Sequence, residues 1–114
     1  MTRPEILKKA EKCVCDEREG EYGTPERNFE TIARLWNIYL CSAVPGFDEH
    51  NGINAKDVGI MMALLKIARI ATGNSPDSFV DLAGYAACAG EIATHSCKPD
   101  KRYKRFPPTE QPFS

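Results

Sequence analysis

The segment from Val58 to Ala71 constrains the fold most, because it is apolar on nearly every side of a helix. Its charged residues are Lys66 and Arg69, and it is shorter than the about 20 residues that a membrane-spanning helix needs. A helix that is hydrophobic all round is buried against other parts of a protein. We therefore expect a central helix, and we expect partners for both cations because an unpaired buried charge is costly.

Capping residues, prolines and glycines predict four helical segments. They run from Thr2 to Gly20, from Thr24 to about Cys41, from Asn54 to Gly73, and from Ser75 to about His95. In the second segment one apolar face is predicted, made of Phe29, Ile32, Ala33, Leu35, Trp36, Tyr39 and Leu40. In the absence of any alternating β-branched run, the predicted fold is all-α, a small antiparallel bundle of about four helices.

The chain of 114 residues is long enough for one domain, and we expect that domain to span residues 1–97. Residues 98–114 carry five basic and two acidic residues together with four prolines, which predicts an irregular basic C-terminal extension. Over the whole chain, 15 basic and 16 acidic residues give a net charge of −1. This balance provides no field for a nucleic-acid backbone and argues against a nucleic-acid partner.

The N-terminus has no apolar segment behind its first charges, which argues against a secretory signal. Neither this end nor the Val58–Ala71 segment predicts a membrane interaction. The five cysteines cannot all pair within one chain, so we expect reduced thiols and a cytoplasmic location. Because residues two positions apart lie on different sides of a helix, the thiols of Cys13 and Cys15 point in different directions, which argues against a metal site there.

Charged residues on the third and fourth segments are placed to meet when the two helices pack together. Lys66 and Arg69 share one sector of the third helix, and Asp77 and Asp81 share a stripe of the fourth. One interpretation is a buried salt bridge from Asp81 to Lys66 or Arg69. The other is a ligand site, in which the cations hold phosphate and the aspartates hold Mg²⁺, which favours oxygen ligands. Spacing alone does not decide between them.

Three further residues are candidate contacts for a nucleoside. Asn28 lies in line with Ile32, Leu35 and Tyr39, so its amide is expected to point inward, where it could contact a base edge or ribose or form a local capping bond. Tyr22, just before the second helix, could be a hinge or a stacking residue. Tyr85 borders the acidic stripe of the fourth helix.

The sequence also resembles a small-protein family that is common in bacteriophages and prophages. The resemblance covers about Glu21 to Glu91 and rests on four motifs: Glu21-Tyr22-Gly23-Thr24-Pro25-Glu26-Arg27-Asn28-Phe29, Ile32-Ala33-x-Leu35-Trp36, Asp57-Val58 through Met61-Met62-x-Leu64-Leu65-Lys66-Ile67-Ala68-Arg69, and Asp77-Ser78-x-x-Asp81-Leu82-Ala83-Gly84-Tyr85-Ala86. That family is similar to the domain named "nucleotide modification associated" and, more distantly, to MazG-like nucleoside triphosphate pyrophosphohydrolases.

The resemblance implies a helical bundle, assembled as a dimer or tetramer, with a nucleotide site between helices. MazG-like enzymes hold Mg²⁺ on Glu-x-x-Glu and Glu-x-x-Asp motifs, and this chain lacks both motifs on the corresponding helices. The resemblance therefore implies site roles for four residues only: Lys66 and Arg69 as phosphate-binding residues, and Asp77 and Asp81 as metal ligands.

Three hypotheses about function follow. The first is a phage-type nucleotide-binding protein that acts, if catalytic, as a Mg²⁺-dependent nucleoside triphosphate pyrophosphohydrolase. The second is a non-catalytic protein that sequesters a nucleotide and so counters a host immune signal. The third is a structural or interaction module whose polar stripes form only a salt-bridge network. A homo-oligomer is expected in each case, because three short neighbours cannot easily cover the third helix.

Overall fold

The computed structural model describes residues 1–17, 23–73 and 75–95, and within these ranges the chain forms four α-helices and no strand. The helices are α1 (Arg3–Glu11), which continues as a π-helical segment (Lys12–Glu17), α2 (Pro25–Ala43), α3 (Ala55–Thr72) and α4 (Pro76–His95). A short 3₁₀ turn (Glu49–Asn51) lies between α2 and α3. The all-α prediction is confirmed.

The helix starts lie where the capping residues predicted them. The Thr2 and Thr24 hydroxyls each accept a hydrogen bond from the backbone N–H three residues later, at 3.3 Å. At the start of α3, the Asn54 and Asp57 side chains each accept a backbone N–H from the other residue at 3.0 Å, which is a complete capping box. Local sequence therefore determines these three starts.

The most extensive helix contact joins α3 to α4, while α2 packs against α3 and α1 packs against α4. At the centre Val58 is fully buried, and a Cβ atom on Gly59 would lie only 2.8 Å from the Cβ of Ala89 and 3.3 Å from the Phe29 ring. The Asn37 amide fixes the loop before α3, because it donates to the Ile53 carbonyl and accepts from the Ile53 N–H, both at 2.9 Å.

Two expectations about burial are wrong. Leu35 and Tyr39 are predicted on the buried face of α2, but they are 61% and 68% exposed, because the core contacts of that face are made by the neighbouring Ile32 and Trp36. Arg69, expected to need a buried partner, is also exposed. The burial of α3 holds for one side only, since its opposite side exposes five large apolar residues. These are Ile60, Met61, Leu64, Leu65 and Ile67.

No helix in the described ranges is long and apolar enough to cross a membrane. The predicted basic extension, residues 98–114, lies outside the described residues. The division into a helical domain and an extension stays a prediction.

Candidate functional site

A cleft opens between the π-helical segment, the start of α2 and the middle of α4, and we call it the Asn28 cleft. Its enclosed volume is about 40 Å³, enough for a few water molecules, and the empty space counted out to its open mouth is about 490 Å³. A larger ligand would therefore lie mainly in the mouth of the cleft. Its lining consists of Cys13, Val14, Gly23, Pro25, Asn28, Phe29, Val80, Asp81, Gly84, Tyr85 and Cys88.

Local backbone features shape two walls of the cleft. The π-helical segment widens the last turns after α1 and brings Cys13 and Val14 to one wall. Gly23 has a φ of +80°, a left-handed conformation that glycine adopts without strain, and it leads the chain into the Thr24 cap and Pro25. On the opposite wall, Gly84 on α4 lies close to Val14, since a Cβ atom there would be 3.0 Å from Val14 Cγ1.

The Asn28 amide is the clearest polar group available to a ligand in this cleft. The residue is half-buried, and its side chain makes no hydrogen bond to any other described residue. An amide offers two donors and a carbonyl acceptor. Because buried polar groups are normally hydrogen-bonded, an amide at the wall of a cleft without a protein partner is suited to water or to a polar ligand.

Asp81 and Tyr85 complete the polar and aromatic part of the lining. The Tyr85 ring packs against Phe29 with 6.2 Å between centroids and an interplanar angle of 32°. Asp81 lies one turn before it on α4 and receives an ion pair from α3, with 3.1 Å between Lys66 Nζ and Asp81 Oδ2. The structure thus places the predicted residues Asn28, Asp81 and Tyr85 around one cleft. Lys66 does not line the cleft and contacts this group through its ion pair with Asp81.

The Lys66–Asp81 pair is the salt bridge that one interpretation of the sequence predicted. The lysine side chain is 14% exposed and the aspartate side chain 33% exposed, so the pair is partly shielded from water. A pair in this setting neutralises both charges and is worth about 1 kcal/mol. It also leaves the second carboxylate oxygen of Asp81 able to accept a hydrogen bond from a ligand.

The remaining predicted site residues lie apart from this group. Arg69 and Asp77 are exposed and do not line the Asn28 cleft. Tyr22 lies outside the described residues. Within the described ranges no three His, Cys, Asp or Glu side chains come together as a metal site. A metal role for Asp77 and Asp81 stays a prediction.

Two thiols of the cleft were not predicted from the sequence. Cys13 is half-buried and Cys88 is buried, and both line the Asn28 cleft. Cys88 shares the helical stripe of Asp81 and Gly84, and that spacing was the available signal. Cys13 gave no such signal, because its position depends on the π-helical turn.

Shifted pKa values occur at the far end of α2, outside the cleft. The Asn51 side chain and the His50 backbone N–H donate hydrogen bonds that lower the pKa of Asp48. Desolvation, followed by the nearby Glu49 carboxylate, raises the pKa of the Cys41 thiol. These contacts stabilise the loop before α3 and give no sign of a reactive group.

Comparisons with known proteins agree with the predicted phage relationship. Residues 5–93 match the family described as "Domain of unknown function (DUF6378)". Gene 55 protein of Mycobacterium phage D29 is 41% identical over 88 residues, which cover 76% of this chain and 52% of that protein. Gene 55 protein of Mycobacterium phage L5 is 36% identical over 103 residues, covering 90% of this chain and 59% of that protein.

The chain therefore spans between half and three fifths of the length of these relatives. No solved structure matches it. The findings support a phage family, and they name neither MazG-like enzymes nor nucleotide modification, so both of those links stay predictions.

Proposed function

This chain belongs to the DUF6378 family, which has relatives in mycobacteriophages, and we propose that it binds a nucleotide in the Asn28 cleft without cleaving it. The observation that carries the proposal is the Asn28 amide, which lacks a described protein partner and lines the same cleft as Asp81 and Tyr85. Donors, an acceptor carboxylate and an aromatic ring are the groups that recognise a nucleobase and ribose.

Each group has a distinct role in this proposal. The Asn28 amide exchanges hydrogen bonds with the base edge, while the unpaired oxygen of Asp81 accepts one from the base or ribose. The Tyr85 ring supplies apolar contact beside Phe29. The Lys66 ammonium lies behind Asp81 and holds that carboxylate at the cleft wall, while Arg69, which does not line the cleft, is not part of the proposed site.

Binding without hydrolysis is favoured by the donor set. Mg²⁺ is usually held by one or two carboxylates together with substrate phosphates, and among the described residues that line the cleft the carboxylate is Asp81 alone. Asp81 already neutralises Lys66, which reduces its value as a metal ligand. This supports the sequestering hypothesis over the pyrophosphohydrolase hypothesis, with the nucleotide left intact.

Isothermal titration calorimetry with a panel of ribo- and deoxyribonucleoside mono-, di- and triphosphates tests the proposal. Each titration is run with Mg²⁺ and with EDTA, and the recovered nucleotide is analysed for pyrophosphate release. We expect at least one nucleotide to bind with micromolar affinity in EDTA and to be recovered unchanged. Turnover with Mg²⁺ would instead support the enzyme, and failure of every nucleotide to bind would overturn the proposal.

Variants then locate the site. Asn28→Ala removes the amide and should weaken binding about tenfold, which corresponds to about 1.4 kcal/mol. Arg34→Ala, on the exposed side of the same helix, is the matched control and should bind as the wild type does. If Asn28→Ala retains full affinity while the protein still binds nucleotide, the ligand occupies a different site.

A further inference from the structure

We propose that a groove between α3 and α4 holds a segment of this same chain, residues 103–106, which follows α4 in the sequence. The groove has a volume of about 430 Å³, or about 760 Å³ counted out to open solvent. One wall is formed by Ile60, Leu64 and Ile67 of α3, which are 43–57% exposed. Large apolar side chains grouped on a surface mark an interaction site. The proposal is independent of the nucleotide site, because no described residue lines both the groove and the Asn28 cleft.

The part of the chain that the structure describes ends beside this groove. Ala93 lines the groove and lies two residues before His95, the last residue of α4. Along α4 the groove extends back from Ala93 to Ala86, which is about 10 Å at the helical rise. Residues 96–102 span up to about 23 Å when extended, so they are long enough to turn back over this wall. The groove is therefore within reach of residues 103–106.

The spacing of the aromatic residues in this segment matches the groove. Tyr103 and Phe106 are three residues apart, and Phe106 precedes Pro107, which favours an extended conformation at Phe106. In a polyproline II conformation three residues make one turn and rise about 9 Å, so the two rings lie on the same side. The α4 wall has small residues at Ala86 and Ala93, about 10 Å apart, where large rings can pack closely. Two buried aromatic rings would supply most of the contact.

Charge also favours a segment from the C-terminal part of this chain. Residues 1–97 contain 10 basic and 14 acidic residues and carry a net charge of −4, whereas residues 98–114 carry +3, so the two parts attract each other. Lys104 and Arg105 lie between the two rings, and with both rings toward the groove their charged ends remain in water. Neither cation then has to approach Lys56, the charged residue among the described groove lining. Because the segment is tethered, its effective concentration is on the order of millimolar, which compensates for a small contact area.

Limited trypsin digestion of the full chain tests the proposal, with a synthetic peptide of residues 96–114 as the reference for an undocked segment. Trypsin cleaves after arginine, so the bond from Arg102 to Tyr103 reports on the segment. We expect this bond to be cut at least about tenfold more slowly in the chain than in the peptide, because cleavage follows the fraction of undocked segment when docking is fast. Equal rates in chain and peptide would overturn the proposal.

A substitution in the groove locates the contact. Ala86→Lys places a long cationic side chain in the groove, where it blocks and repels the basic segment, and cleavage should rise to the rate of the peptide. Ala86 is exposed, so α4 keeps its packing, and circular dichroism verifies the fold. Ala87→Lys is the matched control, because Ala87 is also exposed but does not line the groove, and it should be cut as slowly as the wild type. Equal rates in the two variants would show that the segment does not occupy the groove and would overturn the proposal.

Substitutions in the segment leave the described helices intact. Phe106→Ser removes one ring and should accelerate cleavage after Arg102 at least about fivefold, while Phe113→Ser, outside residues 103–106, should leave the rate unchanged. Protection that survives Phe106→Ser would overturn the proposal. The protection should also be the same at about 1 and about 100 µM chain, because a tethered segment does not depend on concentration. Protection that develops only at the higher concentration would place the segment of a second copy in the groove and would overturn docking within one chain.

Discussion

Helix α4 meets its neighbours in two different ways on two sides. Toward α3 the contact is closed, because Gly59 leaves so little space that a Cβ atom there would lie 2.8 Å from Ala89. Toward the π-helical segment and α2 the contact is open, and the Asn28 cleft occupies the space. Glycine occurs on both sides, and the difference lies in the neighbour: a Cβ atom on Gly59 would meet Ala89, whereas one on Gly84 would meet the end of the Val14 side chain, at 3.0 Å.

The difference shows how one helix can serve as both scaffold and site wall. The closed side buries Val58 and Ala89 and supplies most of the packing of α4. The open side carries the half-exposed Asp81 and the cleft, and it contributes less to stability. Substitutions on the closed side should therefore act on the free energy of unfolding, while those on the open side should act chiefly on ligand binding.

The largest effect is expected for Gly59→Val on the closed side. The new side chain would overlap Ala89 and the Phe29 ring, and overpacking of this kind should lower the free energy of unfolding by about 3 kcal/mol. Urea denaturation at fixed protein concentration measures this change in the free energy of unfolding.

Gly90→Ala on α4 is the control for that substitution. A Cβ atom at Gly90 meets nothing within 4 Å, and a single methyl takes little of the neighbouring groove. It should raise the free energy of unfolding by about 0.5–1 kcal/mol through helix propensity. Equal responses at the two glycines would show that the closed contact is not tight.

The second largest effect on the free energy of unfolding is expected in the loop before α3, which positions α3 for its contact with α4. Asn37→Ala removes two hydrogen bonds to the Ile53 backbone and should lower the free energy of unfolding by about 2 kcal/mol. The exposed Asn51 makes one side-chain hydrogen bond, to Asp48, so Asn51→Ala should cost less than about 0.5 kcal/mol. A loss for Asn37→Ala no larger than that for Asn51→Ala would contradict the anchoring role of Asn37.

Sequence reasoning predicted the features that depend on neighbouring residues. The caps at Thr2, Thr24 and Asn54 lie within three residues of the N–H groups that they accept, so their signal is local. The π-helical turn at Cys13 has no such local signal, and the wall that it forms was missed.

Features that depend on how distant helices pack were predicted either as one of two alternatives or incorrectly. The choice between Lys66 and Arg69 as partner of Asp81 depends on how α3 and α4 cross, and the structure selects Lys66. The exposure of Leu35 was missed because an apolar stripe was assumed to be covered within one chain. Of the predicted site residues, Asn28, Asp81 and Tyr85 line one cleft, while Arg69 and Asp77 lie apart.

A smaller effect is expected where the two sides meet, at the Lys66–Asp81 pair. Lys66→Met alone should lower the free energy of unfolding by about 1 kcal/mol, because Asp81 loses its counter-ion while partly shielded. The double variant Lys66→Met, Asp81→Leu should return close to wild-type stability, since an apolar pair replaces an ion pair at little cost. Strict additivity of the two single substitutions would mean that the pair contributes no coupling energy.

The smallest change in stability is expected for Gly84→Ala, on the open side. Its Cβ atom would lie 3.0 Å from Cγ1 of Val14, a half-buried side chain on the cleft wall that has space to move. Helix propensity favours alanine by about 1 kcal/mol and offsets this crowding, so the free energy of unfolding should change by less than about 0.5 kcal/mol. The added methyl nevertheless narrows the Asn28 cleft, and nucleotide affinity should fall severalfold by calorimetry. A destabilisation as large as that of Gly59→Val would mean that α4 is closed on both sides. Unchanged stability with weakened binding would separate the site wall from the scaffold within a single helix.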